Sequence, residues 1–371
     1  MKFLIFSRSG GFNPASTSRS TTSPPEQCPG AHNDPQQYTD AEQQRFNKMN
    51  GQRNNMSSSK PFPLLHLPRL PLFNVFNCLG VQEQFYLSFC SKKSKYAIKF
   101  YTDRQKYSVT FYFEETFAFS LKTTNSKFLL DIQTHTPIFG SIWTFLRRVE
   151  NEAPTNEKRL LLFLVYVFNT PEICLVFDGR SHQFVKGFIN FIHSLKMNIQ
   201  TLKINSMSDK TGEFVLDNCR DVSEVLLECF TTTRFEYLNK SLIPKFSFDK
   251  LTINYANWVT TRHLSNLFIN CKHVILYGCS PQKLEIQQFI KKWIYGCSQL
   301  TYASLAFNYV DFFWNDIMRE VPSTIVPIEE MGEAFFTNTV YRIKQEKTGV
   351  QAYVIMKNDR TIVITDSLNL F

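Results

Sequence analysis

Five short apolar segments recur in the second half of this chain at nearly constant spacing, and that recurrence constrains the fold more than any other feature. With Leu202, Leu226, Leu251, Ile275 and Leu305 as anchors, the steps are 24, 25, 24 and 30 residues. The anchors lie in strand-like cores at 201–205, 225–227, 251–253, 274–276 and 304–307. Helical or irregular stretches separate most of them. Leu284, Ile286, Phe289, Ile290 and Trp293 make the clearest helix. A strand and a helix repeating every ~20–29 residues is the signature of leucine-rich-repeat-like solenoids. The match is to period and alternation, since the standard repeat string is absent. Strands linked by such crossovers run parallel in one sheet, and each unit buries its neighbour's apolar edge.

The pattern extends in both directions. Residues 182–195 carry Phe184, Val185, Phe188, Ile189, Ile192 and Leu195 at helical spacing. Residues 173–177 read as a buried strand ended by Asp178-Gly179, and 160–168 as a helix or a buried strand. The charged stretch 150–159, with Pro154, reads as a loop. Residues 138–149 are ambiguous, with a helix around Trp143, Phe145 and Leu146 as one reading. Residues 107–121 alternate as one or two strands, and 127–132 as another. Near the C-terminus, Tyr341 and Ile343, then Ala352, Val354 and Met356, then Ile362 and Ile364 predict three antiparallel strands. Thr348-Gly349 and Asn358-Asp359 supply their turns. This meander is expected to cap the open end of the repeat sheet.

Residues 61–99 differ in kind. They open with prolines, as the first turn of a helix permits, and close on Lys92, Lys93 and Lys95. Leu64, Leu67, Leu70, Leu72, Val75, Phe76 and Leu79 recur at mostly three- and four-residue steps. Gly80 is expected to stop this run as a glycine past a helix C-terminus. A second run follows, through Phe85, Leu87, Phe89 and Cys90. About 40 residues bury too little surface for an independent core. An apolar helical face is left for a helix-in-groove partner.

Phe62-Pro63-Leu64, Leu67-Pro68, Leu72, Val75 and Leu79, then Leu87-Ser88 and Ser91-Lys92-Lys93, resemble an F-box. Within that superfamily the wording resembles a large nematode group carrying a type 2 F-box-associated domain. Residues 248–307 carry the second half of that resemblance, in Asn254, Tyr255, Ala256, Asn257, Trp258, Asn270, Cys271, Lys272, Phe289, Lys292 and Trp293. Ser280-Pro281 departs from the family, which often has asparagine and aspartate after a Leu-Thr opening there.

The resemblance implies a three-helix module docking on the Skp-family adaptor of a cullin-RING ubiquitin ligase. Its anchors would be Phe62, Pro63, Leu64, Leu67, Pro68, Leu72, Val75, Leu79, Phe85, Leu87 and Ser88. A downstream domain would hold a target protein, making the chain a non-catalytic substrate receptor. The expected architecture is α+β. A disordered tail (1–59) precedes an F-box (60–101). A leucine-rich-repeat-like α/β domain with a C-terminal meander follows (102–371). The alternatives are an F-box scaffold or decoy outside the ligase, and a basic nucleic-acid-binding protein.

Composition narrows the classes further. Net charge is +9, but no run of five or six like charges marks a nucleic-acid arm. The longest apolar run, 160–168, is too short to span a bilayer, and the apolar core before Ser7 is short for a signal peptide. The nine cysteines include no C-x-x-C pair, which fits reduced thiols in cytosol or nucleus. His263, Cys271, His273, Cys279 and Cys297 lack the close paired spacing of a zinc site. No phosphate loop, dinucleotide fingerprint or nucleophile elbow is present, so no cofactor and no catalytic residue is expected.

Overall fold

The computed structural model describes residues 64–367 apart from 104, 124–128, 134–136, 150–154, 231, 233–234, 238–245, 261, 281, 309–312, 328–338 and 358–359. The expected tail at 1–59 lies outside the described residues, as do Phe62, Pro63, Pro154 and the Asn358-Asp359 turn.

Three helices open the described chain: α1 (Arg69–Cys78), α2 (Val81–Cys90) and α3 (Lys92–Thr102), after one 3-10 turn at Leu64–His66. The helix breaks are chemical. Gly80 follows Leu79, the C-cap of α1, so the first run stops where a glycine was expected to stop it; with φ −70° the same residue starts α2 as its N-cap. Ser91 and Ser94 form a reciprocal capping box: each side chain accepts from the other's backbone N–H.

Among the described residues one sheet holds thirteen strands, in the order β10-β11-β12-β13-β9-β8-β7-β6-β5-β4-β1-β2-β3. At one end β1 (Tyr107–Phe113), β2 (Phe117–Thr123) and β3 (Leu129–Gln133) are antiparallel neighbours. Helices α4 (Pro137–Val149) and α5 (Asn156–Val167) then lead to β4 (Glu172–Asp178), which pairs parallel with β1. Asn156 and the charged residues Glu157, Lys158 and Arg159 are thus the first turn of α5, capped by Thr155, where a loop was expected. A capped first turn favours polar residues, so polarity alone cannot separate the two.

From β4 the chain advances one strand at a time through β5 (Ile199–Ser206), β6 (Glu224–Cys229), β7 (Lys250–Asn254), β8 (His273–Cys279) and β9 (Tyr302–Phe307), all parallel. Helices α6 (His182–Ser194), α7 (Asp209–Asn218) and α8 (Lys283–Tyr295) make three crossovers, and a π-helical turn at His263–Phe268 lies in a fourth. Right-handed crossovers that always advance the same way put their helices on one face. Burial agrees. Leu175, Leu202, Val225, Leu251, Val274 and Ala303 form one in-register buried row. Val176, Lys203, Leu226, Thr252, Ile275 and Ser304 form a partly exposed row on the opposite face. Two of the sequence anchors, Leu226 and Ile275, therefore belong to the open face, one residue out of phase with the buried row. Strand periodicity of two makes that slip a change of face.

After β9, α9 (Trp314–Met318) precedes β10 (Thr324–Ile325), β11 (Val340–Lys344), β12 (Gln351–Lys357) and β13 (Thr361–Thr365). The expected meander is β11–β13, with Gly349 at φ +75° in its first turn. Its last strand returns to pair with β9, and the two-residue β10 forms the far edge.

Two parallel strands end in left-handed turns, at Gly179 (φ +63°) and Tyr255 (φ +61°), and Gly278 (φ +73°) holds the same conformation within β8, where the register with β9 shifts. Glycine accepts this conformation freely. A tyrosine there costs about 1–2 kcal/mol.

The crossover before β8 is locked by a buried histidine. The Thr260 backbone N–H donates to His263 Nδ1 at 3.0 Å, so Nε2 carries the proton and donates to the Tyr237 carbonyl at 2.8 Å. Burial pushes the pKa of His263 below the ordinary value of 6.5. Arg262 acts in the same direction, against the Tyr237 hydrogen bond and Glu236. The folded state thus prefers the neutral ring, and below about pH 6.5 the unfolded chain binds the extra proton. Urea midpoints of the wild type should therefore fall between pH 7.5 and 5.5, and His263→Gln should flatten that slope. An equal slope in both proteins would contradict the assignment.

Candidate functional site

The three N-terminal helices present two different surfaces. The inner one belongs to the sheet. Phe85 is 0% exposed and packs against Phe119 of β2, with ring centroids 5.5 Å apart. Phe89 stacks on Phe163 of α5 at 4.4 Å and meets Phe145 of α4 edge-on at 5.0 Å. Gln84 is buried and donates to the Leu79 carbonyl, while its side-chain oxygen accepts from the Tyr107 hydroxyl at 2.9 Å. Burial holds the Tyr107 phenol far above its usual range, so it remains a donor. The Thr102 hydroxyl donates to the Val167 carbonyl at 2.7 Å and fastens the end of α3 to α5.

The outer surface is an open groove of about 690 Å³ between α1 and α3. Leu67, Leu72, Phe73, Phe76, Tyr96, Ala97 and Phe100 line it, with Arg69, Lys99 and Asp103 at its lip. Aromatic packing sets the spacing of its walls: Phe73 meets Phe100 at 5.7 Å and Tyr101 at 5.6 Å, and Phe76 meets Tyr101 at 5.5 Å. The Tyr101 hydroxyl donates to Asn77 Oδ1 at 2.8 Å. The Arg69 guanidinium lies 4.3 Å from the Phe100 centroid. Leu70 is 79% exposed and Phe100 50% exposed. Exposed apolar side chains around an apolar groove are an association surface.

The sequence-derived anchors divide between these surfaces. Leu64, Leu67, Leu72, Val75, Leu79 and Leu87 are half-buried, and Pro68 is exposed. Leu67 and Leu72 line the groove. Phe85 lies in the intramolecular core. So does Ser88, whose hydroxyl donates to the Phe85 carbonyl. Tyr96 and Phe100 were missed. Their i, i+4 spacing on an amphipathic helix was the available signal.

Of the histidines and cysteines between 263 and 297, His263, Cys271 and Cys279 are buried in the fold, and His273 and Cys297 are exposed. Cys271 and Cys279 are buried, and burial pushes both thiols up to about 12. Cys219 and Cys229 behave alike. Both ring nitrogens of His263 are engaged within the fold. Among the described residues, no three His, Cys, Asp or Glu side chains gather as a metal site, and no helix is long and apolar enough to cross a membrane.

Comparison with known proteins divides the chain in the same way. A family profile described as "F-box domain" matches residues 64–101, which cover the three helices. One described as "F-box associated" matches residues 238–304, within the parallel run. A Caenorhabditis elegans protein, "Skn-1 dependent zygotic transcript 15 protein", is 24% identical over 140 residues, which is 37% of this chain and 40% of that relative. No solved structure matches.

The two surfaces predict opposite outcomes in the three-helix segment. Phe85→Ala should cost about 3–5 kcal/mol of stability, as a large cavity in a packed core does. Leu70→Asp should change it by no more than about 0.5 kcal/mol. Urea unfolding of the two variants checks both.

Proposed function

We propose that this chain, which carries an F-box domain and an F-box-associated domain, is the substrate receptor of a cullin-RING ubiquitin ligase. The observation that carries the reading is the apolar groove between α1 and α3, inside the F-box match and open to solvent. A Skp-family adaptor would seat there on Leu67 and Leu72 with the exposed Leu70 and Phe100. Leu64, Pro68, Val75, Leu79 and Leu87 would form the margin. Phe85 and Ser88 would support the fold from inside. A few buried apolar anchors usually carry most of an interface's energy.

The chain performs no bond chemistry in this reading. It raises the local concentration of a target near the ubiquitin-carrying enzyme, as tethering does. The sheet half is read as leucine-rich-repeat-like on its sequential parallel order, with the target held on a surface the helices leave open. Cytoplasm or nucleus suits the cysteines, none of which is in a disulfide among the described residues.

The test is capture of a purified Skp-family adaptor by the full chain. A Leu70→Asp, Phe100→Asp double variant should weaken capture by about thirty-fold or more, a loss of about 2 kcal/mol. Undiminished binding by that folded variant overturns the docking face. Capture without target turnover would mark the chain as a decoy or scaffold.

A further inference from the structure

Where the parallel strands end, the open face of the sheet carries an alternating row of acids and amides. Asp178, Asn205, Glu228 and Asn254 are in-register neighbours across β4 to β7. The Asn254 side-chain amide donates to Glu228 Oε1 at 2.6 Å, which holds both side chains in the row. Tyr277 continues the line on β8, one residue after Leu276, the partner of Ile253.

Exposed apolar groups sit beside this row at the strand ends. Phe230 follows β6 and Tyr255 follows β7, with ring centroids 4.0 Å apart. Tyr255 is 46% exposed, and Tyr277 and Met207 are also exposed. Tyr255 holds the left-handed conformation that Gly179 occupies after β4 and Gly278 occupies where the register of β8 with β9 shifts. Core packing does not explain a tyrosine at that point, because its ring is only half covered and rests on Phe230, which is itself 41% exposed.

We propose that this rim binds an extended, basic segment of a partner protein, with a lysine or arginine between the carboxylates and the aromatic faces. Charge complementarity selects that occupant. The two carboxylates of the row, with Glu114 and Glu115 at the end of β1, make this an acidic edge on a chain of net charge +9. Nearby cations offset it only in part. Arg180 donates to the carbonyls of Phe113 and Glu114, and Lys203 lies one row back. Aromatic faces add attraction for the same cations. Four strands span roughly 14 Å, the reach of four or five extended residues. This deepens the receptor reading by naming the target-side surface, and it rests on that reading for its biological meaning.

The experiment pans a random linear peptide library displayed on phage against the immobilised full chain. Fluorescein-labelled copies of enriched peptides are then measured by polarisation. Enriched sequences should pair lysine or arginine with an aromatic or aliphatic neighbour and should bind more weakly as salt rises. Asp178→Asn with Glu228→Gln should weaken them about ten-fold. Tyr255→Gly should abolish binding while leaving the thermal midpoint unchanged or higher, since glycine accepts the backbone. No enrichment, enrichment of acidic peptides, or equal affinity for the variants overturns the inference. Adaptor capture measured on the same preparations separates the two readings: intact capture with a silent rim removes only the rim, and lost capture removes the receptor.

Discussion

The structure depends on two phenylalanines of α2. Phe85 and Phe89 leave their own three-helix segment and enter the core formed by β2, α4 and α5. Such aromatic pairs contribute about 0.5–1.5 kcal/mol each beyond the area they bury. The segment needs them, because a helical module of about forty residues hides too little apolar surface to stand alone. Polar contacts repeat the connection, from Tyr107 to Gln84 and from Thr102 to the Val167 carbonyl. With α2 committed inward, α1 and α3 keep the outward groove.

A second constraint acts along the sheet. Each crossover advances by one strand, so one side-chain set of every parallel strand is buried and the other remains accessible. The open face is a product of connectivity and needs no special sequence. Its character comes from the alternate residues, which turn from mixed aliphatic and polar at the strand centres to acidic, amide and aromatic at their C-terminal ends.

Much of this was legible in the sequence. Period and alternation located β4 to β9, and the C-terminal alternation located β11 to β13. The phase failed at Leu226 and Ile275, because in strands such as Val225-Leu226-Leu227 both faces carry aliphatic residues and only pairing tells them apart. The start of α5 was hidden because a capped helical turn and a loop share polar composition. In the candidate site, helical spacing found Leu67 and Leu72. It could not distinguish outward anchors from Phe85, since partner and core both select apolar positions, and Ser88, named through the resemblance alone, also lies in the core. Tyr96 and Phe100 were obscured by the lysines around them in 92–99, which make α3 look solvated. Tyr255 gave no local sign of its backbone, because the left-handed conformation there is imposed by the turn and is not one a tyrosine favours.

The fastening of α3 to α5 has a mechanical corollary. The helices and the sheet share contacts across their boundary, and these oppose swivelling of one against the other. Anything seated on the α1–α3 groove is held at a set bearing to the strand ends across the sheet. In the receptor reading, the separation between adaptor and captured segment is then a fixed dimension of the folded chain. Choice among a target's lysines would follow from that dimension, and lengthening or shortening the run of parallel strands would re-aim it.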